Sequence, residues 1–401
     1  MMKKIFAGIM AAVFLLSGCQ NNTPNPSEIP AGTDKPITFP PEKNAQNQYL
    51  LADATSFQET DGFFCGTNLL GSYLQFYDKE SGISGILCAD PACTHERDEC
   101  GAYIKKGANL SYYDGSLYWI TEDADSRDNC LWQSDLSGMN RKEIMQISFE
   151  DVIYPYQPQR YVIHQGKLYI MGHASVVDGT QSGYRVSLLS GSLSADEDFT
   201  VVYDEVFSGN TTETYRFVGD AVYLSLVTYE NITSFDLTVI KFDINNHTST
   251  VVYQQANLSE NPGAIWVTEN HELYLPAMKE TEAYLWKLED NTRKEITSWS
   301  AEKMSAPKVM DGIAMSLSLE GNERWVDIRD FSGEAVYSGK LYPSSVPGLD
   351  GDPNTYSTSL VGGDEEKLIF QLIEPTGTKN YTVLLDLKDH MKATVLWSSE
   401  N

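Results

Sequence analysis

The chain has 401 residues, 41% of them apolar and 11% aromatic, with 29 basic against 56 acidic side chains. That length allows one large or two ordinary domains, and the apolar share is enough for a real core. So negative a chain excludes nucleic acid as a partner and disfavours anionic lipid, while it favours solubility and cations.

The N-terminus opens on Met1-Met2-Lys3-Lys4, continues with an apolar run from Ile5 to Leu16, and reaches Leu16-Ser17-Gly18-Cys19 at once. The run is too short to span a bilayer, and small residues directly before a cysteine at this distance form a specific pattern. The stretch resembles the lipobox of bacterial lipoproteins. That resemblance implies a signal peptide over residues 1–18, cleavage before Cys19, and a diacylglyceryl group on its sulfur. It also implies a lipid anchor on the extracytoplasmic face of a bacterial envelope, where two or three acyl chains suffice. Residues 20–49 are rich in Pro, Asn and Thr and poor in large apolar side chains. Such a segment cannot bury enough surface to fold. With Cys19 it is expected to be a tether, spanning about 30 Å as a coil and about 100 Å when extended. Removing residues 1–18 leaves 27 basic against 56 acidic residues, a formal charge of −29.

From residue 50 onward one phrase recurs. In Leu110 to Met145, short apolar runs rich in Tyr, Trp, Leu and Ile are separated by Asp114-Gly115, an acidic loop and Asp135-Leu-Ser-Gly138. Runs of that kind predict antiparallel strands in a meander. The first strong apolar residue after each Asp-Gly-like turn gives Phe63, Leu117, Leu168, Val222, Leu273, Ile313 and Leu368, with gaps of 54, 51, 54, 51, 40 and 55. A following run repeats too, as in Leu131-Trp-Gln-Ser-Asp135 and Val239-Ile-Lys-Phe-Asp243.

Four strands at a period near 50 predict propeller blades, because one blade cannot cover both its faces and neighbours must stack radially. The expected fold is all-β: a seven-bladed β-propeller of four-stranded antiparallel blades over residues 50–401. The third unit is the least regular, so six or eight blades stay open. Glu280 to Ile296 has a helix-forming composition, but its place in the repeat argues for strand. Leu117-Tyr118-Trp119-Ile120-Thr121 and the apolar-Tyr pairs Leu168-Tyr169, Val222-Tyr223 and Leu273-Tyr274 resemble the low-density-lipoprotein-receptor type of propeller found in bacterial surface lipoproteins. The sialidase box and the glycine-histidine and tryptophan-aspartate pattern of scaffold propellers are not found in the sequence.

The most specific chemistry lies between the first two blades, in Cys88-Ala-Asp90-Pro91-Ala-Cys93-Thr-His95-Glu-Arg-Asp-Glu-Cys100. Three thiolates and an imidazole within 13 residues can close a tetrahedral zinc site. Disulfides are the competing expectation, since they are normal outside a membrane. With Cys19 lipidated, Cys65, Cys88, Cys93, Cys100 and Cys130 remain, an odd number. One arrangement pairs Cys65 with Cys130 and leaves the zinc quartet. The expected crossover geometry instead brings Cys130 toward Cys100, and the favoured reading is a disulfide between them.

Candidate ligand surfaces are the crossovers of the propeller. Tyr154-Pro-Tyr156-Gln-Pro-Gln-Arg160 offers aromatic faces and a bidentate donor, suited to sugars or a carboxylate. Tyr356 closes a second long segment that starts at Tyr342. Within it, Asp350-Gly-Asp352-Pro-Asn354 has oxygen ligands at alternate positions but lacks the later bidentate Glu of a calcium loop. It is expected to be a solvated turn, as is the acidic loop with Asp123, Asp125 and Asp128. The Trp residues of the repeat (Trp119, Trp132, Trp266, Trp286 and Trp325) are expected to pack between blades. The functional expectation is a membrane-anchored binding or interaction module for a glycan, peptide or envelope protein. The alternatives are a carbohydrate-active hydrolase or lyase with carboxylates at the propeller mouth, and a structural subunit of an envelope complex.

Overall fold

The computed structural model describes residues 55–400 apart from 68–71, 97–98, 105–109, 123–128, 148–155, 179–180, 194–198, 232, 301–305, 344 and 378. The signal peptide, Cys19, the tether and the loop with Asp123, Asp125 and Asp128 lie outside the described residues. Seven antiparallel sheets of four or five strands follow one another along the chain, with a two-stranded sheet between the first two. Blades one to seven occupy residues 55–86, 110–147, 156–208, 210–258, 261–300, 308–340 and 357–400. The count is therefore seven. Residues 280–296 form a hairpin of Glu282–Glu289 and Thr292–Ser300, as their place in the repeat predicts.

The residues that define the repeat are the first or second of each blade's second strand, and all seven are buried. Their side chains alternate between the two faces of the sheet, which sets the whole packing scheme. In blade three, Leu168 and Ile170 pack toward blade two, while Tyr169 and Met171 pack toward blade four. The apolar core accordingly divides into seven clusters, one at each seam between neighbouring blades. Each fully buried large side chain contributes about 1.5–3 kcal/mol there. Trp119 and Trp266 are buried in these seams and Trp132 and Trp286 pack against them, as expected; Trp325 departs from the expectation, being half-buried and part of none of the seven clusters.

The first strands of blades one and two, two and three, four and five, and seven and one approach each other, which puts them on the axis side. Blade five departs from the pattern. Its innermost strand is split into Asn261–Pro262 and Trp266–Val267. The cause is Pro276 on the adjacent strand, which has no N–H to offer the ladder. Residues 263–265 leave the ladder opposite it, and Gly263 N–H donates to the Pro276 carbonyl at 2.7 Å.

The ring closes without a shared strand, because blade one and blade seven each have four strands of their own. Side chains make the join instead. Phe57 stacks on Trp397 with ring centroids 6.1 Å apart, beside Phe63, Cys65, Val361, Ile369 and Leu396. At the edge of this cluster Lys367 reaches Asp364 at 2.6 Å and Glu59 at 3.2 Å. Burial works against the ammonium charge, yet the two carboxylates outweigh it and hold the Lys367 pKa above its usual value.

At the seam of blades three and four, His164 is fully buried, with Nε2 2.7 Å from the Gly219 carbonyl. Burial pulls its pKa below the ordinary value, opposed by Gly219 and by the charge of Asp220. The neutral ring donates through Nε2, and a proton on Nδ1 would be buried with no protein acceptor. The unfolded chain then takes up the proton first as pH falls through about 6.5. Stability should therefore be full above that value and decline as pH drops toward the depressed native pKa. Urea midpoints at about pH 7.5 and 5.5 check this, and His164→Gln should flatten the difference.

Candidate metal centre

Blade one is small: its outer strand, Ser84–Ile86, has three residues, and the chain leaves it directly into the cysteine stretch. Asp90-Pro91-Ala92-Cys93 is a turn, with Cys93 N–H donating to the Asp90 carbonyl at 3.1 Å and Ala92 N–H to Asp90 Oδ1 at 2.9 Å. Asp first and Pro second are what such a turn selects. His95 then takes a left-handed backbone, φ 58°, which is uncommon for a residue with a Cβ. The N–H groups of Glu99 and Cys100 both donate to the Glu96 carbonyl, which brings the last cysteine back to the first two.

The result is a converged set. Sγ of Cys88, Cys93 and Cys100 and one ring nitrogen of His95 lie within 4.8 Å of one another. His95 Nδ1 is 3.4 Å from Cys100 Sγ. Tetrahedral zinc with ordinary bond lengths would set its ligand atoms about 3.5–3.8 Å apart. Two sulfurs also accept backbone N–H bonds from two residues ahead: Cys93 from His95 at 3.3 Å, and Cys100 from Ala102 at 3.4 Å. Such bonds favour the thiolate. Burial dominates at Cys100 all the same, and with the neighbouring Cys93 and Cys88 it pushes the thiol up to about 12. A cation is what would make three adjacent sulfurs anionic. The described residues hold one converging set of metal-ligand type, and it fits a soft divalent ion.

The centre is sewn to both adjacent blades. Tyr103–Ile104 pairs with Ser72–Tyr73 from the loop between strands two and three of blade one. The Tyr73 hydroxyl donates to the His95 carbonyl. On the other side Gly138 packs so closely on Leu87 that a Cβ would lie 2.7 Å from its carbonyl oxygen, and its φ of 77° also suits glycine. Arg141 follows that turn. Its guanidinium lies 5.1 Å from the Trp119 ring and 4.8 Å from the Trp132 ring, and it donates to the carbonyls of Gly101 and Tyr103.

These contacts correct the expected Cys100–Cys130 disulfide. No disulfide joins any of Cys65, Cys88, Cys93, Cys100 and Cys130. Cys130 opens the third strand of blade two opposite Thr121, at the end near the strand-two loop. The residues after Cys100 reach the turn beyond Asp135, at the strand's far end, about 17 Å away at about 3.4 Å per residue. The Cys65–Cys130 pairing is not made either. Cys65 is buried at the seam of blades one and seven, and desolvation raises its thiol far above the usual range.

The expected ligand residues are not assembled into one surface. Tyr154 lies outside the described residues. Tyr156 is on the innermost strand of blade three opposite Gly172, and Arg160 falls in the irregular stretch before Tyr161; their side chains are outside the description. Tyr356 is a correction: its ring is buried and its hydroxyl donates to the Asp350 carbonyl, so it braces the crossover rather than facing a ligand. Asp352 caps the short 3-10 turn Pro353–Thr355, with Oδ1 accepting from Asn354 N–H at 2.9 Å. That is the turn the sequence predicts. A pair that no motif announces is His173 with Glu213, 40 residues apart and in contact across the seam of blades three and four.

The described body is thus a seven-bladed β-propeller with a Cys3His cluster at the rim. No family model and no curated protein matches the chain. Solved structures do. The chain is similar to a puromycin hydrolase (TM-score 0.53, 12% identity, covering 89% of this chain and 55% of that one). It is similar to a prolyl endopeptidase (TM-score 0.52, 13% identity, 91% and 53% covered). It is also similar to oligopeptidase B from Leishmania major (TM-score 0.51, 7% identity, 89% and 51% covered). The chain spans about half the length of these structures, and at such identity the likeness shows the fold alone.

Proposed function

We propose that the chain is a lipid-anchored extracytoplasmic propeller that acts as a binding module, with a zinc ion held by Cys88, Cys93, His95 and Cys100. The observation that carries the zinc assignment is the convergence of four ligand atoms from one short crossover, with sulfur acceptors already oriented by backbone N–H groups. Zinc there is structural: four protein ligands leave no open position for substrate. It would fix the crossover that joins blades one and two. Metal analysis of the purified chain should give one zinc per chain and three thiols protected from alkylation until a chelator is added. A metal-free chain with three freely alkylated thiols would overturn the assignment.

The anchor rests on the lipobox resemblance around Cys19, and the surface-lipoprotein reading on the resemblance of Leu117 to Thr121 and its partial copies. Cys19→Ser should move the chain from the membrane fraction to the soluble fraction and remove the acyl mass from its N-terminal peptide. A variant that stays with membranes would sink the anchor. A glycan, peptide or envelope protein is the partner class, and an anionic polymer is disfavoured by the formal charge of −27 on the chain. The runner-up is a carbohydrate-active enzyme, favoured by one observation: a buried glutamate contacts a histidine between blades three and four.

A further inference from the structure

Glu213 lies on the innermost strand of blade four (Asn210–Val218), its side chain 3% exposed, with Oε2 2.5 Å from Nδ1 of His173. His173 belongs to the second strand of blade three (Lys167–Asp178) and is 21% exposed. The Tyr184 ring flanks the imidazole at 4.9 Å between centroids. The second strands of blades one, two, five, six and seven run six to eight residues, but those of blades three and four run 12 and 11. His173 is the seventh residue of its strand, so it stands at the level where the second strands of most other blades end. Beyond it, strands two and three of blades three and four stay paired to Asp178–Gln181 and Asn231–Ser234.

A carboxylate taken out of water costs several kcal/mol unless it is paired. The seam does not need that pair for adhesion, since Tyr169, Met171, Tyr215 and Phe217 already fill it. What the pair does is orient. A carboxylate can only accept, so Nδ1–H donates to it and Nε2 is the ring atom left to meet a ligand. A metal ion would need further ligands, and among the described residues the one converging set is at Cys88 to Cys100. An anion is disfavoured beside the Glu213 carboxylate, in a chain of formal charge −27. A neutral donor beside an aromatic ring is the remaining match, and sugar hydroxyls are that chemistry.

We propose that His173, positioned by Glu213, is the ligand-reading group of a saccharide site at this seam, its Nε2 accepting a hydrogen bond from a sugar hydroxyl. This rests on the binding-module reading and names its ligand class. Ring nitrogen-15 NMR on the full chain labelled at histidine tests it, with methyl α-glycosides of glucose, galactose and N-acetylglucosamine as millimolar probes. The expected result is an Nδ1–H tautomer at His173 whose Nε2 resonance shifts with at least one glycoside. His173→Ala should weaken that glycoside about tenfold, the scale of one hydrogen bond, and His173→Gln, which keeps an acceptor, should recover part of it. Glu213→Gln should change the tautomer balance. An Nε2–H tautomer, or a His173 signal indifferent to all three glycosides, overturns the site. Saturation transfer to a glycoside without a response at His173 would keep a binding module and remove this site from it.

Discussion

Chelating the proposed zinc from the Cys88–Cys93–His95–Cys100 centre should destabilise the propeller by about 4 kcal/mol, the linkage expected for zinc near a thousand times its dissociation constant. The loss should be local first. Residues 87–104 have few strand pairings of their own: their order comes from the Asp90 turn, the two-residue sheet with Ser72–Tyr73, and the ligands. Removing the ion leaves Cys100 buried as a thiol among other thiols and frees His95 from a backbone conformation that disfavours it. The change should pass to Arg141 through the carbonyls of Gly101 and Tyr103, and from there to Trp119 and Trp132. Hydrogen exchange should thus rise in residues 87–104 and 135–141 and change little in blades three to six. Cys100→Ser should reproduce the effect with no chelator present. Unchanged protection in residues 87–104 after complete metal removal would show that the centre carries no structural load.

Trp397→Ala should cost about 3–5 kcal/mol, the range for emptying a buried aromatic site. Its position makes it more than a cavity. Every other seam joins blades that the chain also links in sequence, whereas the seam of blades one and seven depends on side chains: Phe57 on Trp397, and Lys367 between Glu59 and Asp364. Trp299, equally buried at the seam of blades five and six, is the control. Both alanine variants should lower the urea midpoint. Only Trp397→Ala should expose residues 55–59 and 357–363 to hydrogen exchange below the global unfolding concentration. A cost under about 1 kcal/mol at Trp397 would mean that closure is carried elsewhere.

The fold was legible because its signal is periodic. Phe63 to Leu368 mark seven second strands, and a spacing near 50 leaves little room for any other architecture. Even the ambiguous stretch at 280–296 follows its place in the repeat. Local chemistry was legible where it is contiguous: the Cys3His set assembles from one segment. What failed depends on which end of a strand a loop approaches. The crossover that carries Cys100 and the loop before Cys130 are expected on one face, yet Gly101 and Tyr103 reach Arg141 past the opposite end of Cys130's strand. Tyr356 failed for a related reason, since a loop this long folds onto its own core of Leu341, Tyr342 and Val346. The His173–Glu213 contact had no signal at all, because neither residue's neighbours distinguish it from an ordinary strand position. The absence of a shared strand at the join was equally invisible.

That join has a mechanical side. The first strand of blade one, Thr55–Glu59, is five residues long and pairs only with Gly62–Thr67. Any pull arriving from the residues before it would load this short ladder and the Phe57–Trp397 stack together, in a wheel whose two end segments share no backbone rung. Such tension would be felt as gaping between first and last segments, a compliance that strand exchange would have abolished.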